Sequence, residues 1–424
     1  MGRLTADEGP STADLEALVA QACRAFHARF GAEPAVVGCA PGRVELLGNH
    51  TDYNGGLVIA AAIDRFTAVV GRRGNGHEAT VASANFGDVD TFSLDAIDRT
   101  EHGAWTRYVR GVCWALGEWV GPLTSGFTAS LVGNVPLGAG LSSSASLQAA
   151  VAWFLIQLGL LPNRSRHEFD GAVQNDPPRL KLARTLQRSE NEFVEVGSGL
   201  LDQFSSLFGR ANHALFLDCQ TLVHDRLPLG EPGPAIVVCD SRTSRRLADG
   251  MYNRRRAECD RIVAAFQPSG SHREQFRLSG LTLEDLEARW EHLDPVGRKR
   301  ARHVLSENDR VRHGVDALKA GDLKAFGKLM SASHVSSRDD FENSSPALDA
   351  LVEAAERAPG FWGGKLSGAG WAGCTVNLVR ADRAQDFGEA VRTSYSQHLG
   401  IVPDIHVLRA ADGAFGLDLV PFAS

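Results

Sequence analysis

No two cysteines in this 424-residue chain stand in a Cys-x-x-Cys spacing. Together with the lack of paired Cys/His ligand spacings, this excludes a structural zinc site and leaves oxygen-ligated metal as the only kind in question. The seven cysteines, Cys23, Cys39, Cys113, Cys219, Cys239, Cys259 and Cys374, are scattered and odd in number, as expected of reduced, mostly buried thiols. Nowhere do about 18 uncharged apolar residues run together, which excludes a membrane-spanning helix. Asp7, Glu8 and Asp14 stand where a signal peptide would be apolar, so a cytoplasmic location is expected. An excess of basic residues is also missing: 44 Lys and Arg against 51 Asp and Glu give a formal charge of −7, which argues against a dedicated nucleic-acid binder. The chain has no internal repeat, low-complexity segment or obvious interdomain linker, so its domains are expected to pack closely.

What is present is an ordinary globular balance, 43% hydrophobic and 22% charged, in a chain long enough for two or three domains. Its densest feature is Pro136-Leu-Gly-Ala-Gly-Leu-Ser-Ser-Ser-Ala-Ser-Leu147. The following residues, Ala145 to Leu158, are rich in helix formers and hold neither Gly nor Pro, so they predict a helix with Ser142, Ser143 and Ser144 as candidate N-caps. Gly138 and Gly140 permit positive φ and leave the backbone N–H groups uncovered. Unpaired N–H groups of a first helical turn point at the same space, an arrangement that favours phosphate. A tight structural turn with one serine cap would explain the glycines, but it explains three successive serines less well.

Along the chain, residues 11–30 predict an amphipathic helix and residues 35–40 a short strand. A second polar cluster follows, Pro41-Gly-Arg-Val-Glu-Leu-Leu-Gly-Asn-His-Thr-Asp-Tyr-Asn-Gly-Gly56. A surface hairpin accounts for Asn54, Gly55 and Gly56 but gives no reason for Arg43, His50 and Asp52 around Leu46 and Leu47. Residues 57–63 and 67–71 read as two strands, 105–120 as a helix, and 127–132 as the strand feeding the glycine-rich loop. A helix over 180–193 leads into a glycine-containing turn that delivers Asp202. Strands over 214–217 and 235–239 precede a helix over 248–266 that starts with Tyr252-Asn-Arg-Arg-Arg256, whose arginines read as a solvated face. Helix after helix is expected over 276–329, then one capped by Ser345 with Pro346 in its first position. A third glycine cluster, Lys365-Leu-Ser-Gly-Ala-Gly-Trp-Ala-Gly-Cys374, turns into a strand over 375–379, where its loop could meet the first cradle.

Three glycine-rich segments in this order resemble the three motifs of the GHMP small-molecule kinases, and their wording is similar to the galactokinase branch. Gly42 to Tyr53 looks like the galactokinase signature. Ser189-Glu190, Gly199-Leu-Leu-Asp202-Gln203, Tyr252 to Cys259, Arg300 to Val304 and Ser333 to Phe341 agree with it, so the resemblance spans nearly the whole chain. The resemblance implies an α/β (α+β) fold of two domains, placed at 1–210 and 211–424, with the active site in the cleft between them. It implies phosphorylation of a sugar on its anomeric hydroxyl, with ATP and Mg²⁺ as cofactors. Asp202 matches the catalytic aspartate and Arg43 its electrostatic partner. Ser143 or Ser144, with Glu190, sits where the family places Mg²⁺ ligands. Pro136, Gly138, Ala139, Gly140, Leu141, Ser142, Ser143 and Ser144 fall where phosphates bind, and Trp105 matches an aromatic near the adenine or is simply core. Asp52, His50, Tyr252 and Gly199 match sugar contacts.

The departures from that pattern bear on the substrate. Galactokinases usually have Glu where this chain has Asn49, Asn where it has Glu45, and Pro where it has Ala60. An amide at position 49 in place of a carboxylate alters the expected reader of the 6-hydroxyl. Galactose is therefore set beside a C6-altered relative, galacturonate first, as the acceptor. A non-catalytic sugar sensor is the alternative of another class, and Asp202, Arg43, Glu190 and the intact serine loop argue for an enzyme. Small-molecule partners, and no nucleic acid or membrane, are implied; the sequence leaves the oligomeric state open.

Overall fold

A computed structural model of the chain describes residues 12–99, 104–169, 177–243, 250–266 and 277–419. In chain order the first part comprises α1 (Thr12–Phe30), β1 (Val36–Leu47), β2 (Leu57–Arg73), β3 (Glu78–Ser83), β4 (Val89–Ser93), α2 (Ala104–Val120), β5 (Phe127–Gly133), α3 (Ser143–Gln157), α4 (Pro177–Arg188), α5 (Leu201–Phe208), β6 (His213–Asp218) and β7 (His224–Pro228). There follow β8 (Ala235–Asp240), α6 (Met251–Phe266), α7 (Leu283–Ala288), α8 (Pro295–Lys319), α9 (Leu323–Ser336), α10 (Pro346–Glu356), β9 (Phe361–Leu366), β10 (Cys374–Val379), α11 (Ala384–Leu399), β11 (Asp404–Leu408) and β12 (Phe415–Asp418). The fold is mixed helix and sheet, as the resemblance implies.

The strands form two sheets. The larger runs β12-β1-β2-β5-β3-β4, with β6 and β7 continuing from the far part of β2, and the smaller is β11-β8-β10-β9. The boundary expected after residue 210 falls between α5 and β6, whereas backbone pairing carries the larger sheet on into β6, β7 and β12. Among the described residues no helix is long and apolar enough to cross a membrane. All seven cysteines are free, and all but Cys219 are buried.

The helix after the serine loop organises the larger sheet. Every residue of α3 from Ala145 to Ile156 is buried, so this helix is enclosed on all sides rather than amphipathic. It lies close on β1, where a Cβ at Gly38 would stand 2.3 Å from the Ala150 carbonyl oxygen. The chain thereby anchors the loop's C-terminal side on the most buried helix of the sheet. A second apolar cluster joins Val44, Leu46 and Ile59 of the larger sheet to Val238 and Val376 of the smaller and to Phe326 of α9. The two sheets therefore share a core, and close packing between them follows.

Two strand expectations need correction. The strand expected to end at Ala40 runs on to Leu47 with all its residues buried, so the first half of the signature is strand, not hairpin. Its register shifts between Pro41 and Arg43 and again between Glu45 and Leu47, irregularities that accommodate a proline within a paired strand. The segments 57–63 and 67–71 are a single long β2. Of the three arginines at 254–256, Arg255 is not solvated: it is 4% exposed and bonds Glu258 and the carbonyls of Phe341 and Glu342. Ser11, Ala248 and Phe276, at the edges of expected helices, lie outside the described residues.

Candidate active site

The glycine-rich loop is pinned by two buried apolar side chains, Ala139 and Leu141, each 1% exposed. Gly138 and Gly140 take φ values of 76° and 71°, a left-handed conformation that a side chain would strain. A Cβ at Gly138 would meet nothing within 4 Å, so the backbone there borders open space. Ser142 precedes the first turn of α3 with φ 55° and ψ 48° and makes no side-chain cap. The capping expected of it gives way to another bond, because its Oγ donates to Asp202 Oδ2 at 2.5 Å.

Asp202 lies in the first turn of α5, and its other oxygen is also taken. Oδ1 accepts from Arg43 Nε at 2.8 Å and lies 2.5 Å from Arg43 Nη2. The guanidinium reaches on to the Gly140 carbonyl oxygen, 2.7 Å from Nη1. Strand β1, helix α5 and the loop thus meet in one triad of contacts. Arg43 is 9% and Asp202 25% exposed at the side chain, so the carboxylate is held from beneath and open on one side.

A second carboxylate stands beside the loop. After α4 the chain adds a wide turn of π-helix, Ser189–Val194, which carries Glu190 inward where the sequence predicts a continued α-helix. Glu190 Oε1 accepts from Ser144 Oγ at 3.3 Å, while Oε2 accepts from Ser198 Oγ at 3.0 Å and from the Gln203 amide. Ser144 is therefore the serine bonded to Glu190. Burial, and next the charge of Asp202, raise the pKa of Glu190. Trp105 lies within the core on α2, 6% exposed, with its indole N–H unpaired.

The rest of the signature builds a wall next to Asp202. Asp52 and Gly199 are so close that a Cβ on the glycine would stand 1.8 Å from Asp52 Oδ2. His50, with φ 61°, is 4% exposed and packs its ring against Phe341 (4.7 Å between centroids) and Tyr252 (5.5 Å). Its Nε2 lies 3.0 Å from the Ala369 carbonyl and must carry the proton; Nδ1 then accepts from Tyr53 Oη at 2.9 Å. Burial pushes His50 down to about 3, so the ring is neutral and both nitrogens are used within the protein.

Asn49 is likewise enclosed. It is 1% exposed; its amide nitrogen donates to Glu45 Oε1 (3.1 Å) and the Gly368 carbonyl (2.9 Å), and its amide oxygen accepts from Asn343 Nδ2 (3.0 Å) and Ser337 Oγ (3.3 Å). The third glycine loop therefore does meet the first, through Gly368, which bonds Asn49 and whose Cβ would lie 3.9 Å from Gly140 Cα.

Sequence reasoning missed the support behind this wall. Lys365, wholly buried on β9, places Nζ 2.6 Å from Glu45 Oε1. Glu307 of α8, also fully buried, accepts from the backbone N–H groups of Gly48 and Asn49 and from Ser333 Oγ. His303 Nε2 donates to the Asn49 carbonyl at 3.0 Å, and its Nδ1 pairs with Ser336 Oγ. The available signal was the lone lysine within Phe-Trp-Gly-Gly-Lys-Leu, a charge with no polar neighbour in an otherwise uncharged strand.

A glycine-rich loop before a buried helix, a carboxylate–guanidinium pair at its mouth and a serine–carboxylate pair beside it are the arrangement expected of a small-molecule kinase of the GHMP class. Family models match in the same order: "Galactokinase galactose-binding signature" over residues 24–73, "GHMP kinases N terminal domain" over 107–210 and "GHMP kinases C terminal" over 315–397. The chain is 42% identical to a galactokinase of Roseiflexus over 92% of its length and 94% of the relative's, and 38% identical to that of Homo sapiens over 94% and 96%. Its fold superposes on Lactococcus lactis galactokinase complexed with galactose at a TM-score of 0.84 and 33% identity, covering 95% of this chain and 100% of that one. The chain belongs to the galactokinase family, and it is a sugar kinase.

Proposed function

We propose that the chain transfers the γ-phosphoryl group of ATP to the anomeric hydroxyl of galactose, giving the sugar 1-phosphate. The observation that carries this reading is Asp202, held by Arg43 and Ser142 at the mouth of the glycine-rich loop and next to Asp52 and Gly199. An acceptor hydroxyl entering there would replace Ser142 as donor to Asp202 Oδ2, which would orient it and take its proton. Arg43, ion-paired with Asp202, holds that carboxylate in place and offsets charge on the phosphoryl group, whose transfer depends on positioning and electrostatics. The backbone from Gly138 to Ser144 cradles the phosphates. Turnover of galactose with ATP, measured by ADP release and identification of the product's phosphate position, tests the proposal.

Magnesium fits the serine–carboxylate pair. Ser144 Oγ and Glu190 are hard oxygen donors 3.3 Å apart, and Glu190 is buried with hydroxyl and amide partners only. Among the described residues no group of three or more His, Cys, Asp or Glu side chains is arranged to hold a metal, so nucleotide oxygens and water would complete the shell. The ion would neutralise charge on the nucleotide's phosphates.

A C6-altered acceptor such as galacturonate is suggested by the uncharged amide at position 49. That amide has its donors and acceptor engaged inside the protein, so it lends the alternative no support. The sensor alternative is disfavoured by the complete set of Asp202, Arg43, Ser144 and Glu190.

Two outcomes follow for the acceptor wall. Gly199→Ala would drive a methyl group into Asp52, and kcat/KM for galactose is expected to fall by roughly 10- to 100-fold with the KM for ATP unchanged. A variant as active as the parent would remove Gly199 from the site. Burial, and next the Glu45 carboxylate, push Asp52 up to about 7. Its ionised form, which can accept from two hydroxyls, is thus lost as pH falls through that value. A pH–rate profile should show kcat/KM for galactose declining below about pH 7, a limb that flattens in Asp52→Asn. A limb that persists unchanged in the variant would assign the titration to another group.

A further inference from the structure

A cavity of about 480 Å³ opens on the other flank of Asp52 and Gly199. Asp202 and the glycine-rich loop do not line it; Arg184, Arg256 and Arg277 do. The three guanidinium groups come from separate places in the chain: Arg184 from α4, Arg256 from α6, and Arg277 from the segment before α7. None of them forms an ion pair or side-chain hydrogen bond among the described residues, whereas most of the other described arginines are paired with a carboxylate or a carbonyl. Arg256 lies over the Tyr53 ring, 6.0 Å from its guanidinium carbon to the centroid. Asp52 is the one carboxylate in the wall among the described residues, and the Gln220 side chain adds an amide.

Three like charges gathered around a concavity repel one another, and an anion relieves that repulsion. Guanidinium forks match the oxygens of a phosphate in paired hydrogen bonds. A volume of about 480 Å³ exceeds what a bare ion needs and falls within the range of small-molecule sites, ~300–1,000 Å³. The amide at Gln220 and the carboxylate at Asp52 are suited to hydroxyl groups. We propose that this cavity binds a small hydroxylated molecule carrying a phosphate monoester, of the size of a hexose phosphate. Because Asp52 and Gly199 wall both this cavity and the acceptor site, its occupant is placed to act on acceptor binding.

The inference stands on the cavity and not on the acceptor's identity, so it is tested by binding without turnover. Calorimetry on the full chain, with ADP and Mg²⁺ saturating so that the glycine-rich loop is filled, should detect glucose 6-phosphate but not glucose. The Arg184→Gln/Arg277→Gln variant should bind it about tenfold or more weakly, the loss expected for charge-assisted hydrogen bonds, with an unchanged melting temperature to show that it is folded. Equal affinity in parent and variant, absence of binding to the parent at millimolar concentration, or loss of binding when ADP is added would overturn the proposal. Inorganic phosphate should bind more weakly than the hexose phosphate; equal affinity would overturn the assignment of a hydroxylated ligand. Galactose turnover plays no part in these readings, so failure here is distinguishable from failure of the kinase assignment.

Discussion

Asp202→Asn is expected to lower kcat for galactose by roughly 10²- to 10⁴-fold while leaving the fold and the affinity for ATP largely intact. The amide keeps the shape of the carboxylate and can still accept from Arg43 or Ser142, but it cannot take a proton. The substitution also leaves the Arg43 guanidinium, 9% exposed, with the Gly140 carbonyl as its remaining strong partner. Loss confined to kcat would be read as removal of an interaction made in the transition state, whereas a rise in galactose KM alone would mean that Asp202 only binds. Steady-state kinetics with both substrates varied separates the two. An Asp202→Asn enzyme with more than a tenth of the parent's kcat would sink the role assigned to this carboxylate.

Much of this site was legible in the sequence because its pieces are local. Gly138 and Gly140 adopt positive φ, as a loop that exposes its backbone requires, and the helix expected from Ala145 is there, beginning two residues earlier at Ser143. Ser345 and Pro346 begin α10 with the expected cap. What sequence could not supply is the partner of each polar group, because partners come from distant strands and helices. Ser142 carries every mark of an N-cap, yet the tertiary contact with Asp202 claims its hydroxyl. Asn49 stands within a sugar signature, yet Glu45, Gly368, Ser337 and Asn343 enclose its amide. Glu190 was readable as a residue but not as the product of a π-helical turn, since one extra residue per turn leaves no mark in composition. The glycines of β9 hid a strand: a Cβ at Gly363 would fall 1.8 Å from the Gly327 carbonyl oxygen, so that strand is glycine-rich because α9 lies against it.

The buried pair behind the signature should matter to stability as much as Asp202 does to rate. Lys365 is 0% exposed and its ammonium is 2.6 Å from Glu45, which also accepts from the Asn49 amide at 3.1 Å. Lys365→Met would leave Glu45 enclosed without its cation and close to Asp52, and removing one partner of such a pair costs about 3–5 kcal/mol. Urea unfolding is expected to report a loss of that order. Glu45→Gln/Lys365→Met removes both charges, leaves an amide oxygen at position 45 to accept from Asn49, and should recover most of the loss, since neutral replacement of a buried pair is often close to neutral in stability. The cycle also bears on the acceptor. The Glu45 charge is the largest contribution after burial to the raised pKa of Asp52, so the double variant should shift the acidic limb of kcat/KM to lower pH. A Lys365→Met protein within about 1 kcal/mol of the parent would show that water or a rearranged donor reaches Glu45, and the pair would then not be the brace between the two sheets that its burial implies.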